Sequence, residues 1–201
     1  MRVYHQSMSK LFIFDMGEVL ILDVHTLPQI AKELGLDGKL LKSDWMYYDM
    51  PLMDGFMSPN DYYRHLEFAF DIAPIKEDLF YKFFTPKVND FMLDNVRRLK
   101  AAGHRVVVGS NTFYPHWEKK IISYPWITLF DNLYASHVIH ISKPLPAFWR
   151  YIMRNEGFSA SDTVFIDDCF ENIESAKKLG IETFQYLRNN DEIDAFFSHY
   201  L

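Results

Sequence analysis

Asp15, Ser110 with Asn111 and Thr112, Lys143, and Asp167 with Asp168 are the residues whose types and spacing could do chemistry. The acids and the hydroxyls follow short apolar runs, and the lysine stands just before Pro144 at the start of a predicted helix. Carboxylates, a hydroxyl, backbone N–H groups and one ammonium together suit a divalent metal and a phosphate. Mg²⁺ takes hard oxygen ligands in near-octahedral geometry and keeps several waters, so two carboxylates and one backbone carbonyl suffice from the protein. Asp15 and Asp168 fit as those carboxylates. The Ser110 hydroxyl, N–H groups near Asn111, and Lys143 would hold phosphoryl oxygens and offset charge during transfer to a carboxylate nucleophile, with Asp15 in that role.

The elements that must position these groups are read from periodicity. Four apolar runs, 11–14, 105–108, 163–166 and 182–186, are expected to be buried parallel strands, and three of them lead into the reactive groups. Helical spacing covers 88–103, 144–157 and 170–180, each closed by a glycine. Alternating strand and helix predicts an α/β fold, an open, doubly wound parallel sheet. In such sheets ligands bind outside the carboxyl ends of the strands, so the polar groups should meet in one crevice.

The stretch 25–86 breaks the alternation. It has helical patterns at 27–34, 39–48, 61–70 and 76–84, and Ser58, Pro59 and Asp61 read as an N-cap, a proline at the first helical position and an acid at the third. The expected organisation is a core of 9–24 and 87–201 with a small all-helical insertion at 25–86.

Bulk properties narrow the function. The 201 residues are 49% hydrophobic, 17% aromatic and 24% charged, which is the balance of a folded globular chain. A net charge of -6 provides no basic stripe for nucleic acid or anionic membrane, so the expected partner is a small molecule, with the oligomeric state open. A single cysteine, Cys169, excludes an intrachain disulfide and a multi-cysteine zinc site. The opening decapeptide is too short and polar for a signal peptide, no apolar run reaches bilayer length, and a cytoplasmic location is expected. Met8 is a candidate alternative start.

Four motifs in order, FDMG, SNT, SKP and FIDDCFEN, resemble those of the haloacid dehalogenase superfamily. FDMGEVL, GHRVVVGSNT and EGFSASDTVFIDDCFENIESAKKLGI resemble more narrowly the bacterial branch of α-glucose-1-phosphate phosphatases. The resemblance implies a Rossmann-like core with a helical cap inserted after the first strand. It implies a Mg²⁺-dependent phosphatase of a small phosphorylated metabolite, with a sugar phosphate such as glucose 1-phosphate as the expected substrate, acting through a phosphoaspartate on Asp15. Within it, Gly17 lends its carbonyl to the metal beside Asp15 and Asp168, Ser110, Asn111 and Lys143 hold the phosphate, and Asp167 and Asn172 support the site.

One position departs from the pattern. Most phosphatases of the superfamily carry a second aspartate where this chain has Gly17, an acid and base for the leaving oxygen and then for water. Its absence favours leaving groups that need little protonation, such as an anomeric hydroxyl. It also admits two alternatives, a dehalogenase-type hydrolase and a phosphate-binding protein with vestigial catalysis. The order of the acids disfavours a receiver module of signalling pathways. Gly17 is also open to a local reading, a turn that needs positive φ. Glu18 is expected to face away from the site, Cys169 to be a filler with a raised pKa, and His137 and His140 to be loop residues. Among Trp45, Tyr47, Tyr48 and Phe56, at least half are expected to serve helix packing.

Overall fold

A strand buried on both faces must be apolar at every position, and the run Leu11–Phe14 is so throughout. In the computed structural model, which describes residues 9–201, this segment is β1, at the centre of a five-stranded sheet. Met8 lies outside the described residues. Strand β2 (Ile21–Leu22) follows, then helices α1 (Leu27–Leu34), α2 (Gly38–Met53), α3 (Pro59–Phe70) and α4 (Leu79–Phe83). Strand β3 (Lys87–Val88) pairs antiparallel with β2 and closes the base of this helical excursion. The core continues through α5 (Asp90–Ala101), β4 (Arg105–Ser110), α6 (Tyr114–Trp117), β5 (Asn132–Ala135) and α7 (Ser136–Ile139). It ends with α8 (Pro146–Glu156), β6 (Thr163–Asp167), α9 (Phe170–Lys177), β7 (Glu182–Gln185) and α10 (Asn190–Phe197).

The sheet runs β5-β4-β1-β6-β7, and every pairing is parallel. Successive side chains of β1 point to opposite faces. Phe12 and Phe14 enter a cluster with α5 and α10, whereas Leu11 and Ile13 enter a second cluster with α8 and α9. A third cluster joins α1 to α4 and includes one core residue, Phe113. Among the described residues, no helix is long and apolar enough to cross a membrane.

Several sequence-based boundaries shift. Strand β5 is unanticipated, because NLYA at the sheet edge carries a polar residue and no continuous apolar run. Helix α2 extends to Met53 and contains Pro51, and the fourth helix of the insertion shrinks to five residues. The helix expected from Pro144 begins at Pro146, so Lys143 lies in the preceding loop. The capping box at Ser58 is formed, with the Ser58 hydroxyl accepting from Asp61 N–H and the Asp61 carboxylate accepting in return from Ser58 N–H.

Gly109, inside β4, lets β1 and α8 pack close to the strand: a Cβ there would lie 2.8 Å from Ile13 Cγ2, 3.1 Å from Ile152 Cδ1 and 3.2 Å from Phe148 Cε1. The Ile13 methyl is fixed on a β-branched side chain and cannot swing aside. Gly109→Ala is therefore expected to cost about 1–3 kcal/mol through overpacking, read as a lower midpoint in chemical denaturation.

Candidate active site

Parallel pairing in register brings the carboxyl ends of β1, β4 and β6 side by side. Asp15 follows β1, Ser110 ends β4, Asp167 ends β6, and Asp168 is next in the chain. Carboxylate oxygens of Asp15, Asp167 and Asp168 lie within 4.8 Å of one another. They share a cavity of about 880 Å³ with Gly17, Ser110, Asn111, Lys143 and Asn172. The chain thus brings every sequence-predicted site residue to one place.

Lys143 is the hub of the cluster. Its ammonium donates to Asp15 Oδ1 at 2.5 Å and to Asp167 Oδ2 at 2.8 Å, in full burial. Its Nζ lies 5.4 Å from the Phe165 ring centroid and 5.8 Å from that of Phe148, an additional cation–π attraction. Burial alone would push the ammonium down, but Asp15 and Asp167 outweigh it and hold its pKa above the ordinary lysine value. Burial pushes the Asp15 carboxyl up to about 7 against the pull of Lys143, and Asp167 and Asp168 add to the rise. Asp168 is also raised, by burial and then by Asp167. Three carboxylates against one ammonium give a surplus of negative charge, which a divalent cation would offset.

The supporting bonds separate the roles of similar residues. Asp167 is well satisfied: beyond Lys143 its Oδ1 accepts from Cys169 N–H at 2.8 Å, and Asn172 Nδ2 donates to both of its oxygens, at 3.2 Å to Oδ1 and 3.1 Å to Oδ2. Asp168 is half-buried and makes no ion pair among the described residues. The Asn111 carboxamide is committed to the backbone of Lys143, donating to its carbonyl at 2.8 Å and accepting from its N–H at 2.9 Å. The Asn111 side chain thus positions the lysine loop. No sequence signal distinguishes that use from direct binding.

Gly17 does not have positive φ; the left-handed residue of this turn is Glu18, at φ 57°. This corrects the local reading of the glycine. A Cβ at Gly17 would meet Val24 Cγ2 at 3.4 Å and Asp15 Oδ2 at 3.9 Å, ordinary contact distances. A carboxyl side chain can therefore begin there without backbone strain. Glu18 is pinned, accepting from Val24 N–H at 3.2 Å and forming an ion pair with Arg188. Cys169 donates to Glu171 at 3.1 Å, and burial raises its thiol.

The insertion forms the facing wall. Trp45 lines the cavity, while Tyr48 packs on Tyr62 and His65, and Tyr47 and Phe56 are exposed away from it. His137 and His140 lie outside the cavity, at a joint the sequence did not reveal. There His140 Nδ1–H donates to Asp54 O at 2.8 Å, Ser142 Oγ donates to Asp54 Oδ1 at 2.5 Å, and Ser136 Oγ donates to Met53 O at 2.5 Å. His116, in the cavity lining, stacks on Phe84 with ring centroids 3.8 Å apart. Its Nε2 is buried without a hydrogen-bond partner, and burial pushes the imidazole down to about 3.

Two outcomes follow from these charges. Lys143→Met leaves Asp15 and Asp167 facing each other without a cation, so unfolding free energy measured by denaturant without metal should fall by about 3–5 kcal/mol. His116 protonates near 6.5 when unfolded but only near 3 when folded, so the folded state loses stability as pH falls through that window. His116→Phe should lack that component, flattening the acid limb of a stability–pH curve by up to ~1.4 kcal/mol per pH unit.

The chain is similar to characterised proteins along most of its length. The sesquiterpene phosphatase astK of Aspergillus oryzae is 26% identical over 178 residues, covering 86% of this chain and 87% of that protein. The D-ribitol-5-phosphate phosphatase of Bacteroides thetaiotaomicron is 27% identical over 189 residues, covering 89% and 92%. The crystal structure of a HAD family enzyme from Bacteroides thetaiotaomicron, in complex with magnesium and inorganic phosphate, superposes with a TM-score of 0.77 at 23% identity, covering 94% of this chain and 99% of that one. Residues 9–180 match the model of the haloacid dehalogenase-like hydrolases. The matched segment contains the sheet ends and their acids, and the chain belongs to the haloacid dehalogenase-like hydrolase family.

Proposed function

We propose that this hydrolase is a Mg²⁺-dependent phosphatase of a small phosphorylated metabolite, working through a phosphoaspartate on Asp15. The observation that carries the reading is Asp15 itself: a buried carboxylate facing an 880 Å³ cavity, held by Lys143 and beside the unpaired Asp168. Asp15, Asp168 and the Gly17 carbonyl would hold the Mg²⁺, and the negative surplus of the carboxylate cluster fits it. When bound, the cation supplies positive charge opposite the charge that develops on the phosphoryl group.

The chain's own residues do the rest. Lys143, the Ser110 hydroxyl and the Asn111 N–H orient the phosphoryl oxygens, while Asp167 and Asn172 keep the lysine and the β6 end in place. An Asp15 oxygen attacks phosphorus, the ester P–O bond breaks, and the leaving oxygen takes a proton from solvent. Water then attacks phosphorus and gives up a proton to solvent, the bond between phosphorus and the Asp15 oxygen breaks, and phosphate leaves with Asp15 restored. Helices α1 to α4 act as the cap, covering the cavity mouth from residues 25–86. The two phosphatase relatives, one named for ribitol 5-phosphate and one for sesquiterpenes, support the reaction class and a wide range of leaving groups. Glucose 1-phosphate is the sequence-based candidate among the polar ones. A dehalogenase reading gains no support from the insertion, where Arg64 is exposed and pairs with Asp61.

Steady-state turnover of phosphate monoesters spanning leaving-group acidity, with Mg²⁺, tests this. Asp15→Asn should abolish turnover while leaving the fold intact by circular dichroism. Gly17→Asp, for which the backbone has room, should raise kcat on alkyl phosphates by about 10²-fold and change aryl phosphates little. Equal turnover in wild type and Asp15→Asn would overturn the proposal.

A further inference from the structure

The wall facing the acids is built from hydrocarbon and aromatic groups. Helix α2 turns one stripe toward the cavity, Lys42, Trp45, Met46, Asp49 and Met53, at helical spacing. Phe80 and Phe84, four residues apart, form the deep part with Phe113, all three buried, and Leu27 flanks them. Among the polar lining groups of this wall, His25 and Lys42 are exposed, and Thr26 is buried at the start of α1. His116 is neutral at ordinary pH and stacked on Phe84. Asp49 is half-buried, and burial raises its carboxyl above the ordinary range.

A polyol leaving group would bring several hydroxyls against this surface. Each hydroxyl buried without a partner costs binding, whereas a hydrocarbon loses nothing by the same burial. The cavity is far larger than a phosphate requires, and its phosphate end is continuous with the apolar part.

We infer that the phosphate monoester this site takes carries an apolar leaving group, a hydrocarbon chain or ring seated against Trp45, Met53, Phe80, Phe84 and Phe113. This rests on the phosphatase reading for its reaction, but the cavity's preference can be measured without turnover.

The experiment titrates n-alkylphosphonates from ethyl to decyl, whose C–P bond is not hydrolysed, into the unmodified protein with Mg²⁺ by calorimetry, beside the phosphonate analogue of glucose 1-phosphate. The charged group stays constant along the series, so the change per methylene reports burial. Kd should tighten by about fourfold per methylene until the cavity is filled, the equivalent of ~0.8 kcal/mol for each buried CH₂. Octylphosphonate should then bind at least tenfold tighter than the sugar analogue. Met53→Lys, its fold checked by circular dichroism, should flatten the series. A series independent of chain length, or a tighter sugar analogue, would overturn the inference. Turnover of 4-nitrophenyl phosphate by the same preparation separates the two ideas. Turnover with a flat series leaves the phosphatase and removes the apolar site, and a graded series without turnover does the reverse.

Discussion

The arrangement depends on one buried ammonium. Asp15 and Asp167 come from neighbouring strands whose parallel register places their ends side by side, and two carboxylates so placed in a low-dielectric interior repel each other strongly. Lys143 lies between them, reached by a loop that Asn111 clamps through the Nδ2–H and the Oδ1 of its side-chain amide. The sheet supplies the acids, β4 supplies the clamp, and the loop before α8 supplies the charge that lets them coexist. A buried ion pair of this kind is poor evidence for stability gained, because desolvation offsets the attraction. What it secures is geometry: the nucleophile candidate is held by a group that cannot leave without exposing an unpaired charge.

Much of this was legible because it follows from local rules. Strands buried on both faces must be apolar throughout, so LFIF, RVVV and TVFI announce themselves, and the polar residue that ends each run announces the carboxyl edge of the sheet. The Ser58 cap was legible because it needs only residues three apart. The rest depends on long-range partners. Strand β5 is an edge strand with a polar start, so no periodicity marks it. Helix α2 runs through Pro51, which reads as a stop in isolation. The use of the Asn111 side chain is set by a loop 32 residues away, and the apolar character of the facing wall appears only when α2 and α4 are folded over the sheet.

Gly17 shows how little separates this site from one with a second carboxylate. The glycine sits in ordinary backbone space with room at its Cβ, and the strained position of the turn is occupied by Glu18. The turn geometry therefore does not require glycine. The missing acid is a property of the side chain alone, and restoring a carboxyl there asks nothing of the backbone.

The joint between insertion and core has a mechanical side. Gly55 passes so close to His137 that a Cβ would lie 2.6 Å from its carbonyl oxygen, and the adjoining Asp54 is tied to Ser142 and His140. Ser142 is covalently attached to Lys143. The end of α2 and the central ammonium are thus coupled by a lever one peptide long. The contacts that seat the helical wall on the core and the chain that carries the central ammonium are therefore neighbours in sequence, so a change of length in this loop would disturb both at once.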